Sequence, residues 1–86
     1  MIFKDYVKEV LQIEVSDTIK ERGYILETDL CTMICKKYNL SMPTVRVTLR
    51  EIYPQMALIR RRLSDELKRF YGLNVKGCPI VYIPRA

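Results

Sequence analysis

The side chains best suited to chemistry in this chain lie between Ser41 and Arg50. Ser41, Thr44, Arg46 and Arg50 are interleaved there with Val45, Val47 and Leu49. Hydroxyls at these positions donate and accept hydrogen bonds, and each arginine offers a planar fork of donors that fits phosphate or the edge of guanine. The remaining residue types exclude most catalytic chemistry. The 86 residues include no His, so neither a Ser–His nor a Cys–His nucleophile pair can form. Three glycines make no phosphate-cradling loop, and the acidic residues scatter along the chain. No enzyme activity, catalytic residue or cofactor is expected. Cys31 and Cys35 stand one helical turn apart, with Cys78 far along the chain. A structural zinc site takes four Cys or His ligands, so no metal is expected, and the cysteines fit as small buried side chains.

The elements that must hold the arginines follow from apolar spacing. Leu30, Ile34 and Tyr38 recur at i, i+4 and i+8, and Val45, Leu49 and Ile52 at i, i+4 and i+7. Each set forms a stripe on one helical face. Between them, Asn39 tolerates the left-handed backbone of a sharp turn. Leu40 points inward, Ser41 caps the next helix, and Pro43 is harmless in its first turn, where a missing N–H costs nothing. Met42, Pro43, Thr44, Arg46, Val47 and Arg50 are expected off the buried stripe. Two short helices joined by a tight turn are the shape of a helix-turn-helix, which lays its second helix in a DNA groove.

The segment resembles the helix-turn-helix of winged-helix transcription factors, nearest to the DNA-binding domain of GntR-type regulators. Their pattern runs roughly Leu-Ala-x-x-Leu-Gly-Val-Ser-x-x-Thr-Val-Arg-x-Ala-Leu-x-x-Leu. Here Ile34 and Cys35 stand for Leu-Ala, and Tyr38-Asn39-Leu40-Ser41 for Leu-Gly-Val-Ser. Thr44-Val45-Arg46 matches outright, and Leu49 and Ile52 take the later apolar positions. The match covers about a quarter of the chain. Two features depart from the family: the acidic Pro-x-Glu lead-in is missing, and about twenty residues separate the second helix from the expected wing. The resemblance implies sequence-specific DNA binding by a small transcriptional regulator, with the recognition helix in the major groove. Its alternative is a winged helix serving as a protein–protein interaction subunit of a replication, transcription or DNA-segregation complex.

Elsewhere, residues 2–13 read as an amphipathic helix, with Phe3, Tyr6, Val7, Val10 and Leu11 on one side. Ser16-Asp17 caps a continuation to about Arg22, which Gly23 stops. Tyr24-Ile25-Leu26 is a short strand, and Thr28 caps the helix that runs to Tyr38. The recognition helix spans about 42–53, ended by Pro54. Residues 55–71 read as a further helix with Met56, Ile59, Leu63, Leu67 and Phe70 on one face. On such a helix Arg60, Arg61 and Arg62 fan over about 200° and cannot share a side. Residues 73–83 read as a β-hairpin, the wing, turning near Lys76-Gly77. The fold class is mainly α with a small β-hairpin (α+β), a single winged-helix domain over 1–86 with an extra helix before the wing.

Charge is lopsided. Residues 1–40 carry six Lys and Arg against seven Asp and Glu, whereas residues 41–86 carry nine against three. The basic half begins at the proposed recognition helix, the footprint of a polyanion partner. The expected partner is double-stranded DNA, met by Ser41, Met42, Pro43, Thr44, Arg46, Val47 and Arg50. Lys36 and Lys37 would touch backbone or oppose the negative end of their helix, and Lys76 would reach backbone from the wing. Helix-turn-helix proteins often dimerise, here through residues 2–13 or 55–71. No apolar run is long enough for a membrane span. The odd cysteine count and the charged start fit a cytoplasmic, nucleoid-associated protein rather than a secreted one.

Overall fold

The computed structural model describes residues 2–85. Helix α1 (Phe3–Arg22) leads into strand β1 (Ile25–Leu26), helix α2 (Glu27–Tyr38) and helix α3 (Met42–Ile52). A 3-10 turn (Tyr53–Met56), strand β2 (Leu58–Arg62), helix α4 (Asp65–Tyr71) and strand β3 (Ile80–Pro84) follow. Among the described residues the architecture is therefore mainly helical with a three-stranded antiparallel sheet, an α+β arrangement.

Helix α1 is one unbroken rod. Val7, Leu11 and Val15 recur every four residues and are fully buried. That stripe carries the helix straight through Ser16-Asp17, where the sequence suggests a fresh cap. Phe3 and Tyr6, expected on the buried side, are exposed. Gly23 closes the helix at φ 81°, its N–H bonded to the Ile19 carbonyl. Helix α2 starts directly after β1. Its cap position is Leu26, with no side-chain cap, so Thr28 does not cap it. Glu27 and Asp29 in its first turn oppose the positive helix end instead.

The turn between α2 and α3 forms as its residue types dictate. Asn39 is left-handed at φ 55°. Ser41 Oγ accepts the Thr44 N–H at 3.4 Å and donates to Thr44 Oγ1 at 2.7 Å. Val45, Leu49 and Ile52 of α3 meet Leu30, Cys31 and Ile34 of α2, together with Val7, Leu11 and Val15 of α1, in one core. Ile25, Leu58 and Tyr82 of the sheet close it.

Beyond Ile52 the molecule departs from the sequence reading. Residues 55–71 are not one helix, and 73–83 are not a hairpin. Ala57 takes the left-handed conformation at φ 58°, which stops helical propagation. Residues 58–62 pair with 80–84, Leu58 opposite Pro84 and Arg62 opposite Ile80. Strand β3 also pairs with β1, Ile25 opposite Tyr82, and so lies in the middle of the sheet. The helical spacing of Met56, Ile59, Leu63 and Leu67 is thus overridden by pairing with a distant strand, as tertiary context commonly does to local propensity. The β2–β3 connection holds the short α4, capped by Ser64 Oγ on the Leu67 N–H. Residues 73–79, Lys76-Gly77 among them, form a loop without strand. Phe70, expected on a buried face, is 78% exposed.

This rearrangement matters for the arginines. On a strand, alternate side chains share a face. Arg60 and Arg62 therefore lie on the face of Leu58 and Tyr82, toward the helices, and Arg61 on the other.

Candidate nucleic-acid interface

Helix α3 buries Val45, Thr48, Leu49 and Ile52. Spacing by three and four then sets Pro43, Val47 and Arg50 along its outer ridge, where all three are exposed. Val47 is 57% exposed. Thr44 and Arg46 flank the ridge, half-buried. Met42, expected off the buried stripe, instead packs against the core.

Both α3 arginines are anchored from behind. Arg50 forks onto the Glu27 carboxylate, donating from Nη2 to Oε1 at 3.1 Å and from Nε to Oε2 at 3.4 Å. Arg46 Nε lies 3.8 Å from Glu27 Oε1 and Arg60 Nε 3.8 Å from Oε2. The Tyr82 hydroxyl donates to Oε2 at 2.5 Å. Glu27 itself is 4% exposed. Sequence reading places Arg46 and Arg50 free on the solvent side. The structure fixes their inner edges and leaves 41% and 46% of the two side chains in solvent. Arg46 Nε is buried with no hydrogen-bond partner among the described residues.

The electrostatics follow from this count. Three guanidiniums surround one carboxylate, so the cluster keeps two positive charges in excess. Burial pushes the Glu27 carboxyl up, but the hydrogen bonds from Arg50 and Tyr82 and the charges of Arg50 and Arg60 outweigh it and hold the group below its ordinary value. Burial and the bond to Glu27 push the Tyr82 hydroxyl well up. Glu27 is therefore ionised and Tyr82 protonated at neutral pH.

The other expected contacts scatter. Lys37 Nζ donates to Glu14 Oε1 at 2.6 Å and Tyr38 to the same oxygen at 2.7 Å, so Lys37 is clipped to α1. Lys36 is exposed at the end of α2, and Lys76 is exposed in the loop after α4. On the sheet, Arg61, Arg62 and, on α4, Arg69 are exposed. Of the two expected dimer surfaces, residues 55–71 supply only the short α4 and not one continuous helix, while Ile2 and, on α1, Phe3, Tyr6 and Ile13 are exposed. No helix among the described residues is long and apolar enough to cross a membrane. Nor do the described residues gather three or more Cys, Asp or Glu side chains where a metal ion would fit.

Sequence reasoning missed Glu27, Arg60 and Tyr82. They stand 33 and 22 residues apart in the chain, and only the sheet brings them together. No signal in the sequence marks this convergence, since Leu58-Ile59-Arg60-Arg61-Arg62 shows no alternation of strand period. The chain matches no protein-family model, and no curated protein or solved structure matches it significantly.

Proposed function

We propose that the chain is a winged-helix DNA-binding protein that acts as a small transcriptional regulator, with α3 entering the major groove of double-stranded DNA. The observation that carries this reading is the exposed ridge of α3 flanked by an arginine cluster whose single carboxylate leaves it two charges positive. The tight Asn39–Ser41 turn and the antiparallel β2–β3 pair beside α3 support the winged-helix form. The wing is then the β2–β3 pair with its helical connection, rather than residues 73–83 alone. Pro43, Thr44 and Val47 offer methyl and methylene surface for thymine methyl groups. Lys and Arg contacts to phosphate supply most of the affinity.

Fluorescence anisotropy against a random duplex pool, repeated across salt concentrations, tests the reading. Log affinity should fall linearly with log salt at about −0.9 per phosphate neutralised. Sequencing of the bound fraction should return an enriched motif. No binding at low salt, or affinity indifferent to salt, would refute it.

One observation favours a second reading, a protein-contacting winged helix. Val47 is 57% exposed on α3, and Ile2, with Phe3, Tyr6 and Ile13 of α1, exposes further apolar area. Substituting Val47→Lys separates the two: an apolar protein contact is lost, whereas duplex binding is still held by the phosphate contacts and its base preference changes.

A further inference from the structure

We propose that Arg46, Arg50 and Arg60 form one phosphate-binding triad, spaced by Glu27, and that they grip the DNA backbone and do not read bases. This rests on the DNA-binding reading and assigns its contacts: backbone to the triad at the junction of α3 and β2, base edges to the Pro43–Thr44–Val47 ridge.

The geometry supports the assignment in three ways. First, the three guanidiniums come from two different elements, yet each reaches to within 3.8 Å of the same carboxylate. A free arginine on a helix face has many rotamers, and ordering it on a ligand costs conformational entropy. Here Arg50 is fixed by two hydrogen bonds, and Arg46 and Arg60 stand within ion-pair distance of the same group. Second, Arg50 uses its Nε–Nη2 edge on Glu27, which leaves Nη1 and the outer hydrogen of Nη2 for a second anion. A planar guanidinium can serve two carboxylate or phosphate partners on two edges. Third, one carboxylate cannot neutralise three cations. A phosphate group on the outer side supplies the missing charge and accepts from the guanidinium hydrogens that Glu27 leaves free. An arginine held back on a buried carboxylate is also poorly free to reach into a groove toward guanine, which needs a fully extended fork.

Glu27 acts here as a positioning residue, and its sign is diagnostic. Glu27→Gln raises the net charge of the protein by one. Simple attraction to a polyanion would then tighten DNA binding. Loss of the anchor should weaken it.

The test titrates wild type, Arg60→Gln, Arg60→Lys and Glu27→Gln against one duplex pool between about 50 and 200 mM salt, with folding followed by circular dichroism. Arg60→Gln should lower affinity about tenfold for all sequences alike and make the salt slope shallower by about 0.9. Arg60→Lys should keep the slope and still lose affinity, since a lysine cannot fork. Folded Glu27→Gln should bind more weakly than wild type. Unchanged affinity and slope in Arg60→Gln overturn the triad, and a changed base preference overturns its assignment to the backbone. Tighter binding by folded Glu27→Gln overturns the positioning role; if that variant unfolds, wild-type affinity in Arg60→Lys does the same.

A second arm separates the triad from the DNA reading. Inorganic phosphate, against chloride at equal ionic strength, should shift the guanidinium Nε–Hε NMR signals of all three arginines in the DNA-free protein. If phosphate shifts them and no duplex binds, the DNA reading falls and a free phosphate ligand takes its place. If duplex binds while phosphate leaves the signals still and Arg60→Gln behaves as wild type, the DNA reading stands and the triad falls.

Discussion

Glu14 on α1 and Glu27 on α2 are both buried, and each accepts a tyrosine hydroxyl and a cationic side chain. They differ in balance. Glu14 meets one lysine, so its charge is cancelled and the group ties α1 to the end of α2. Glu27 meets three arginines, so its neighbourhood stays positive and faces outward beside α3. A matched pair holds a fold together, whereas an outnumbered carboxylate organises a charged surface. The excess of arginine around Glu27 is charge that the fold itself does not neutralise.

Tyrosine substitutions put the largest strain on this contrast. Tyr82→Phe removes a donor from a buried, ionised carboxylate and should cost about 1.5–3 kcal/mol in urea unfolding. Tyr38→Phe removes its counterpart at Glu14, where Tyr38 itself is only partly buried and Lys37 still bonds the same oxygen, and should cost less. Equal losses would erase the distinction. Next come the cations. Arg50→Ala should weaken duplex binding about tenfold or more, the scale of a charge-assisted hydrogen bond. Lys37→Ala, which removes a lysine already paired with Glu14, should change binding severalfold less. A reversed order would make Glu14 the functional cluster.

Acid titration asks what the two sites share. Both carboxyls sit below their ordinary value of 4.5. At Glu14 the hydrogen bonds from Lys37 and Tyr38 cause this; at Glu27 bonding and charge overcome the opposing effect of burial. A depressed folded pKa gives stability that is complete above the unfolded pKa and is lost as pH falls through the folded one. Stability should therefore hold above about pH 4.5 and decline below it. Glu14→Gln and Glu27→Gln should each flatten that decline. A decline unchanged in either variant removes that glutamate from the account.

The smallest effect uses a built-in probe. Cys31 lies one turn after Glu27, and burial, with the Glu27 charge second, pushes its thiol up to about 11. Native Cys31 should resist thiol reagents while exposed Cys78 reacts. Glu27→Gln should speed Cys31 modification modestly at alkaline pH, and Glu14→Gln should not.

The sequence disclosed what short-range chemistry decides. Asn39, Ser41 and Pro43 specify a turn and a cap within five residues, and Val45, Leu49 and Ile52 specify which side of α3 is buried. The second half was opaque for the opposite reason. Strand β2 is defined by partners 18 to 26 residues away, and Ala57 carries no visible preference for the left-handed backbone that ends the helical run. Misplacing β2 hid Arg60, and with it the convergence on Glu27. The two α3 arginines were legible as a face, but their anchor was not, because a buried glutamate opening a helix looks in sequence like any favourable first-turn acid.

Amide chemical-shift mapping during a duplex titration is the most direct trial of DNA recognition by α3. The account predicts that the largest perturbations run from Ser41 to Arg50 and through Leu58–Arg62, with α1 quiet. Perturbations centred on Phe3, Tyr6 and Ile13, or a spectrum that duplex leaves unmoved, would contradict it.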